Sequence, residues 1–139
     1  MYDCKIKYKL VLNINQRKEA HKMGAEVISG KGALRISNTV IAKLAGYVAT
    51  QCYGVVAMVN KSGKDGILKM LKLENMDKGI KVKVEDNIVD LTLYIVAEYG
   101  VNIVSVSETI KTNVKYHVEK FTGLRINQVK VVVESVRVE

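Results

Sequence analysis

Between positions 40 and 52 apolar residues recur at three- and four-residue spacing, the period of a helix with one buried face. Val40, Ile41, Leu44, Ala45, Val48, Ala49 and Cys52 make up that face. Ser37 stands just before the run, after Leu34 and Ile36, where a side-chain oxygen can accept a hydrogen bond from an otherwise unpaired helix N–H. Gly54 follows as a C′ glycine. The pattern therefore predicts a strand over 25–36, a helix over 38–53 and a strand over 55–60. A loop with a helical turn is expected over 61–78.

Farther along, the period changes to two. Ile80, Val82 and Val84 alternate with Lys81, Lys83 and Glu85. Past Asp86-Asn87, a pair suited to a tight turn, Val89, Leu91, Leu93, Ile95 and Ala97 alternate with Asp90, Thr92, Tyr94, Val96 and Glu98. This is a hairpin of strands 80–86 and 88–98 with one buried face. A second helix is expected over 105–121. Ser105 and Glu108 match a capping box, Val106, Ile110, Val114 and Val118 form a stripe with Phe121 close to it, and Gly123 closes the helix. A valine-rich strand over 125–138 completes the set. The fold class is α+β: a mostly antiparallel four- to five-stranded sheet with two helices packed on one face, as a single domain over 23–139.

Residues 1–22 break the pattern. Ile6, Tyr8, Leu10, Leu12 and Ile14, interleaved with Lys5, Lys7 and Lys9, are apolar enough for a strand, whereas 15–22 is polar and unpatterned. Lys18-Glu19-Ala20 can be encoded by AAG-GAG-GCN, a bacterial ribosome-binding sequence, with Met23 at a suitable distance. Two readings stand: a native N-terminal extension, or a start assigned upstream of a true start at Met23.

At 139 residues the chain is long enough for one domain with a real core. It lacks proline and tryptophan, has no apolar run of membrane-spanning length and opens with no secretory signal pattern, which predicts a cytoplasmic protein. Cys4 and Cys52 are read as reduced thiols, because two cysteines make no disulfide framework. The net charge of +8 suggests an acidic partner, but its distribution weakens that idea. Residues 1–22 hold six basic groups against two acidic ones, leaving 16 against 12 in the remainder, where they alternate on solvated faces.

Catalytic chemistry finds little support. His21 and His117 are far apart with no ligand-spaced partner, so no metal site is expected. Glu85-Asp86 lies at a hairpin tip, and Glu74 and Asp77 define no pocket. Gly30-Lys31-Gly32 lacks the third glycine and strand–turn–helix context of a dinucleotide site. No cofactor or catalytic residue is assigned. Gly63-Lys64-Asp65-Gly66 matches the G-x-x-G loop that clamps a nucleic-acid backbone, with Lys61, Lys64, Lys69 and Lys72 nearby. It follows a strand, however, and no aromatic pair lies in a strand for base stacking. Ile67-Leu68-Lys69-Met70-Leu71-Lys72-Leu73 can touch a membrane surface or a partner, or serve as a lid over the sheet edge. Tyr94 and Val96, on the outward side of a central strand, point to a sheet face that meets another protein. The candidate interaction residues are therefore Lys64, Lys69, Leu71, Lys72, Tyr94 and Val96.

With these elements placed, the chain resembles the alkaline shock protein family, envelope-stress proteins of Gram-positive bacteria, in its short single-domain branch. The resemblance rests on Gly32-x-Leu34-x-Ile36-Ser37-x-x-Val40-Ile41-x-x-Leu44-Ala45, on Gly54-Val55, on Lys78-Gly79-Ile80-x-Val82 and on Thr122-Gly123-Leu124. It covers about residues 25–139, and 1–22 have no counterpart in it. These motifs are mostly structural. The resemblance implies a non-enzymatic cytosolic protein, peripheral at the inner face of the membrane, that binds a membrane-anchored partner protein or paralogue and often self-assembles as a homo-oligomer. It implies no small-molecule substrate. A small nucleic-acid-binding domain using Gly63 to Gly66 and the adjacent lysines is the alternative. For the chain start, intact mass of the protein made from its own locus decides: a mass beginning at Met23 is expected if the start is assigned upstream, and a mass that includes residues 1–22 overturns that reading.

Overall fold

The alternating run Ile88–Glu98 forms the strand around which the sheet is assembled. The computed structural model describes residues 24–60, 69–71 and 77–138. In chain order their elements are strands β1 (Ala25–Ser29) and β2 (Gly32–Ile36), helix α1 (Asn38–Thr50), strands β3 (Val55–Asn60), β4 (Lys69–Leu71), β5 (Ile80–Glu85) and β6 (Ile88–Glu98), helix α2 (Ile103–Thr122) and strand β7 (Arg125–Arg137). β1 and β2 make a two-stranded sheet, and the other five strands form the main one. The class is α+β with mostly antiparallel pairing, as the patterning predicts.

β6 is paired on both edges. One edge runs parallel to β7 from Ile88↔Arg125 to Glu98↔Arg137. The other is shared: β5 pairs antiparallel with its first half (Val82↔Leu91) and β3 with its second (Met58↔Ile95). The β6–β7 pairing is parallel because α2 carries the chain back between them, which a tight turn cannot do. β5 and β6 meet through Asp86-Asn87, both at positive φ (51° and 63°), the geometry of a two-residue hairpin turn.

The predicted single strand over 25–36 is instead a hairpin. Gly30 and Lys31 turn the chain, so that Ser29 pairs with Gly32 and Ala25 with Ile36. The Ser29 hydroxyl accepts a hydrogen bond from the Lys31 N–H (3.2 Å). The glycines that make a poor phosphate loop thus serve as turn residues. Asn87 ties this ribbon to the β5–β6 turn, its Oδ1 accepting from the Glu26 N–H at 3.2 Å.

Helix α1 is capped by Ser37, whose Oγ accepts from the Val40 N–H at 3.4 Å. Ile41, Ala45, Val48, Ala49 and Cys52 are buried; Val40, in the first turn, is half exposed. The helix stops at Thr50, earlier than predicted, and its end tightens through bonds from the Gln51 N–H to the Tyr47 and Val48 carbonyls. Gly54 lies three residues past the Gln51 cap and is not its C′ residue. It sits at φ +85° where the chain passes α2, and a Cβ there would come within 2.8 Å of Val106 Cγ2.

Helix α2 begins earlier than predicted. Asn102, not Ser105, caps it: Asn102 Oδ1 accepts from the Val104 and Ser105 N–H groups at 3.1 and 3.2 Å. Ser105 lies inside the helix, and Glu108 pairs with Lys111 at 2.8 Å. The buried stripe is Val106, Ile110, Val114, Val118 and Thr122. Thr122 takes the next four-residue step, so Phe121 falls out of register and faces solvent. Gly123 ends the helix in the left-handed conformation, its N–H donating to the Glu119 carbonyl at 2.9 Å. The Glu119 carboxylate then accepts from the Ile126 N–H at 2.9 Å, steering the chain into β7.

Both helices cover one face of the main sheet. Ile41, Ala45, Ile110, Val114 and Val118 pack with Met58, Val89, Leu91, Leu93 and Ile95 in one core. Cys52 is a buried free thiol at the helix–helix seam, where the Asn113 amide reaches its sulfur at 3.5 Å.

Urea denaturation checks these assignments. Asn102→Ala is expected to cost about 1 kcal/mol and Ser105→Ala only a few tenths. Gly54→Ala combines positive φ with a methyl collision and should cost about 2 kcal/mol or more, against about 1 for Gly123→Ala, where nothing lies near the added carbon. Equal costs within either pair would contradict the placement.

Candidate interaction surface

The alternation that sends Leu91, Leu93 and Ile95 to the helices sends Asp90, Thr92, Tyr94 and Val96 to the opposite face. Strand register fixes their neighbours. Lys81 and Lys130 flank Thr92, Lys83 and Gln128 flank Asp90, Val132 lies beside Tyr94, and Ala57 and Ser135 flank Val96. The face therefore has two halves. Toward the β5–β6 turn it is polar and charged; toward the end of β6 it is apolar, with Ala57, Val59, Tyr94, Val96 and Val132.

Tyr94 and Val96 lie on the side away from the helices, as their alternation requires. They are not open side chains: Tyr94 is 9% exposed and Val96 5%. The Lys81 ammonium stands 5.6 Å from the centre of the Tyr94 ring. They act as the floor of this face, and the exposed groups around them are Lys81, Lys83, Glu85 and Lys130.

The charges in the polar half are partly answered within it. Lys83 Nζ meets Glu85 Oε1 at 2.8 Å. The hydrogen bond from Lys83 to Glu85, then the Glu85 charge, raises the Lys83 pKa above 10.5. Asp90 Oδ1 accepts from the Asn127 amide at 3.0 Å. Lys81 and Lys130 stand exposed beside these pairs.

Of the loop residues, Lys64 and Lys72 lie outside the described residues, as does the Gly63 to Gly66 pattern. Lys69 and Leu71 belong to β4, where the backbone pairs Lys69 with Asn60 and Leu71 with Met58. This part of the expected loop is thus an edge strand added to β3. His117 is exposed and stacks edge-on against Tyr116 at 5.2 Å. Among the described residues no three His, Cys, Asp or Glu side chains come together as a metal cluster.

A second surface escapes motif reading. At the end of the sheet where β6 finishes, the Glu98 N–H donates to the Gly54 carbonyl (2.9 Å) and the Tyr99 N–H to the Arg137 carbonyl (3.1 Å). These bonds gather Tyr53, Tyr99, Ile103 and Val104 at one end of the molecule, 80%, 71%, 42% and 72% exposed. The sequence signal is an absence of charge: residues 44–60 and 99–107 contain no Asp, Glu, Lys or Arg. Because the two stretches are about 40 residues apart, only the fold joins them.

The alkaline shock protein 23 family, described as having a "cell envelope-related function", matches residues 26–138. The uncharacterized protein YloU of Bacillus subtilis is 38% identical over 117 residues, which is 84% of this chain and 98% of that protein. The uncharacterized protein Spy1614 of Streptococcus pyogenes is 37% identical over 117 residues, 84% of this chain and 97% of its own length. The uncharacterized protein YqhY of Bacillus subtilis is 28% identical over 100 residues, 72% of this chain and 73% of that protein. No solved structure matches. The matched span runs from β1 to the end of β7, and the chain belongs to this alkaline shock protein-like family of cell envelope-related function.

Proposed function

We propose that this protein is a non-enzymatic adaptor of the cell envelope, binding a membrane-anchored protein partner at the cytosolic face of the membrane. The observation that carries the reading is the sheet face opposite both helices. There the charged rim of Lys81, Lys83, Glu85 and Lys130 is exposed, whereas Val59, Tyr94 and Val96 are already buried within the chain, so the rim is what a partner can meet. The envelope-related description of the family supports the location. No helix among the described residues is long and apolar enough to cross a membrane. Lys69 and Leu71, on the β4 strand that pairs with β3, extend the same reading to that edge of the sheet, and Lys64 and Lys72 are candidates from the sequence alone.

The test is a detergent-solubilised affinity purification of the tagged full chain from its native cell, with a nuclease-treated parallel. Recovery of a membrane protein, unchanged by nuclease, is expected. Reversing Lys81 and Lys130 to Glu should reduce that recovery severalfold, because it inverts one row of the rim. Partners lost on nuclease treatment would overturn the reading and favour nucleic acid. In that case binding that neutralises two phosphates would fall about tenfold between 50 and 200 mM salt, and reversal of Lys64 and Lys69 would abolish it.

A further inference from the structure

Strand register divides the sheet face opposite the helices into rows of unlike character. The middle row is Lys81, Thr92 and Lys130, two exposed lysines with a half-buried hydroxyl between them. One step toward the β5–β6 turn stand Lys83, Asp90 and Gln128; one step the other way stand Tyr94 and half-buried Val132. Taking from the adaptor reading its choice of this face, we propose that the rows recognise an extended segment of a protein partner. In that segment an apolar residue, an acid and a donor or cation follow one another at alternate positions, in either chain direction.

Charge selects the acid. Among the described residues neither Lys81 nor Lys130 has a carboxylate partner, whereas Lys83 is held by Glu85 at 2.8 Å. Neighbouring strands lie about 4.8 Å apart, so the backbones of Lys81 and Lys130 stand about 10 Å apart across Thr92. Two lysine stems span that gap and converge on one carboxylate, to which the Thr92 hydroxyl also donates. Lys81 is already stationed there, its ammonium 5.6 Å from the centre of the Tyr94 ring, so part of its ordering precedes binding.

The adjoining rows select the flanking residues. In an extended chain, residues two apart lie about 6.8 Å from each other on one side, which is also the spacing of the rows beneath. With its acid over Thr92, the segment sets one flanking residue beside Val132 and the other over Asp90. The Asp90 carboxylate accepts one bond, from the Asn127 amide at 3.0 Å, and a carboxylate can accept several. It therefore favours a donor or a cation and repels a second acid. This order separates a peptide from a polyanion. A nucleic-acid strand or an anionic lipid surface repeats its negative group at every step, and so sets one against Asp90 and another against Val132.

The probe is a net-neutral peptide with Val, Glu and Lys at alternate positions separated by Ser, compared with the same peptide after Glu and Lys exchange places. The net charge of +8 draws neither peptide more than the other, so only the order of side chains distinguishes them. Amide shifts of the isotope-labelled full chain are followed as each is added. The first peptide should shift Lys81, Asp90, Thr92 and Lys130 with a dissociation constant on the order of 1 mM, and the exchanged one should bind about tenfold more weakly. Combining Lys81→Gln with Lys130→Gln should weaken the first peptide about tenfold or more, and Thr92→Val, which keeps the branched shape, about threefold. Lys115→Gln, on the exposed side of α2, should leave binding unchanged. Equal binding of the two peptides, shifts that persist in the double Gln variant, or no shift by about 10 mM overturns the proposal. So does a single-stranded oligonucleotide or a phosphatidylglycerol vesicle that binds more tightly than the peptide and is lost in that variant. A membrane protein recovered from the native cell upholds the adaptor reading even where both peptides fail, so the two failures are distinguishable.

Discussion

Everything in this molecule leans on one strand that must satisfy neighbours on three sides. β6 is hydrogen-bonded along one edge to β7 and along the other to β5 and then β3, while its helix-side residues close the core beneath α1 and α2. Val89, Leu91, Leu93 and Ile95 are at most 1% exposed. Burying one such side chain is worth about 1.5–3 kcal/mol, so four of them together match the ~5–15 kcal/mol by which an ordinary domain is stable. A one-residue slip in register would turn all four outward. The strict alternation of this strand is therefore the strongest constraint on the sequence.

That constraint explains what could be read from the sequence. Where one local rule dominates, the pattern suffices: the Ser37 cap, the α2 stripe from Val106 to Val118, the Asp86-Asn87 turn and the Gly123 stop all lie where spacing puts them. Misreadings occur where two local signals compete. Asn102 and Ser105 are both capable caps, and the choice falls to Asn102, whose side chain accepts from two N–H groups of the first turn. Phe121 is apolar and near the stripe, but Thr122 holds the register position. The Gly30-Lys31 turn is hidden because apolar residues continue on both sides of it, so two short strands read as one long one.

The surfaces were legible only in part, for a different physical reason. Alternation correctly sends Tyr94 and Val96 away from the helices, yet it does not tell that they are buried there, 9% and 5% exposed. The uncharged end is farther from reach. It exists because backbone bonds at Glu98 and Tyr99 join residue 54 to residue 137, and sequence periodicity carries no information about such pairings.

The way charge is partitioned over the fold bears on what can approach each of its surfaces. The chain of 139 residues carries a net charge of +8, so the charged parts of two copies repel one another. That repulsion is weakest where β6 ends and uncharged residues gather, since between the charged remainders it falls with distance and is screened beyond about 8–10 Å at physiological salt. The sheet face runs along the strands and the uncharged end lies across their termini, so occupying one does not require vacating the other.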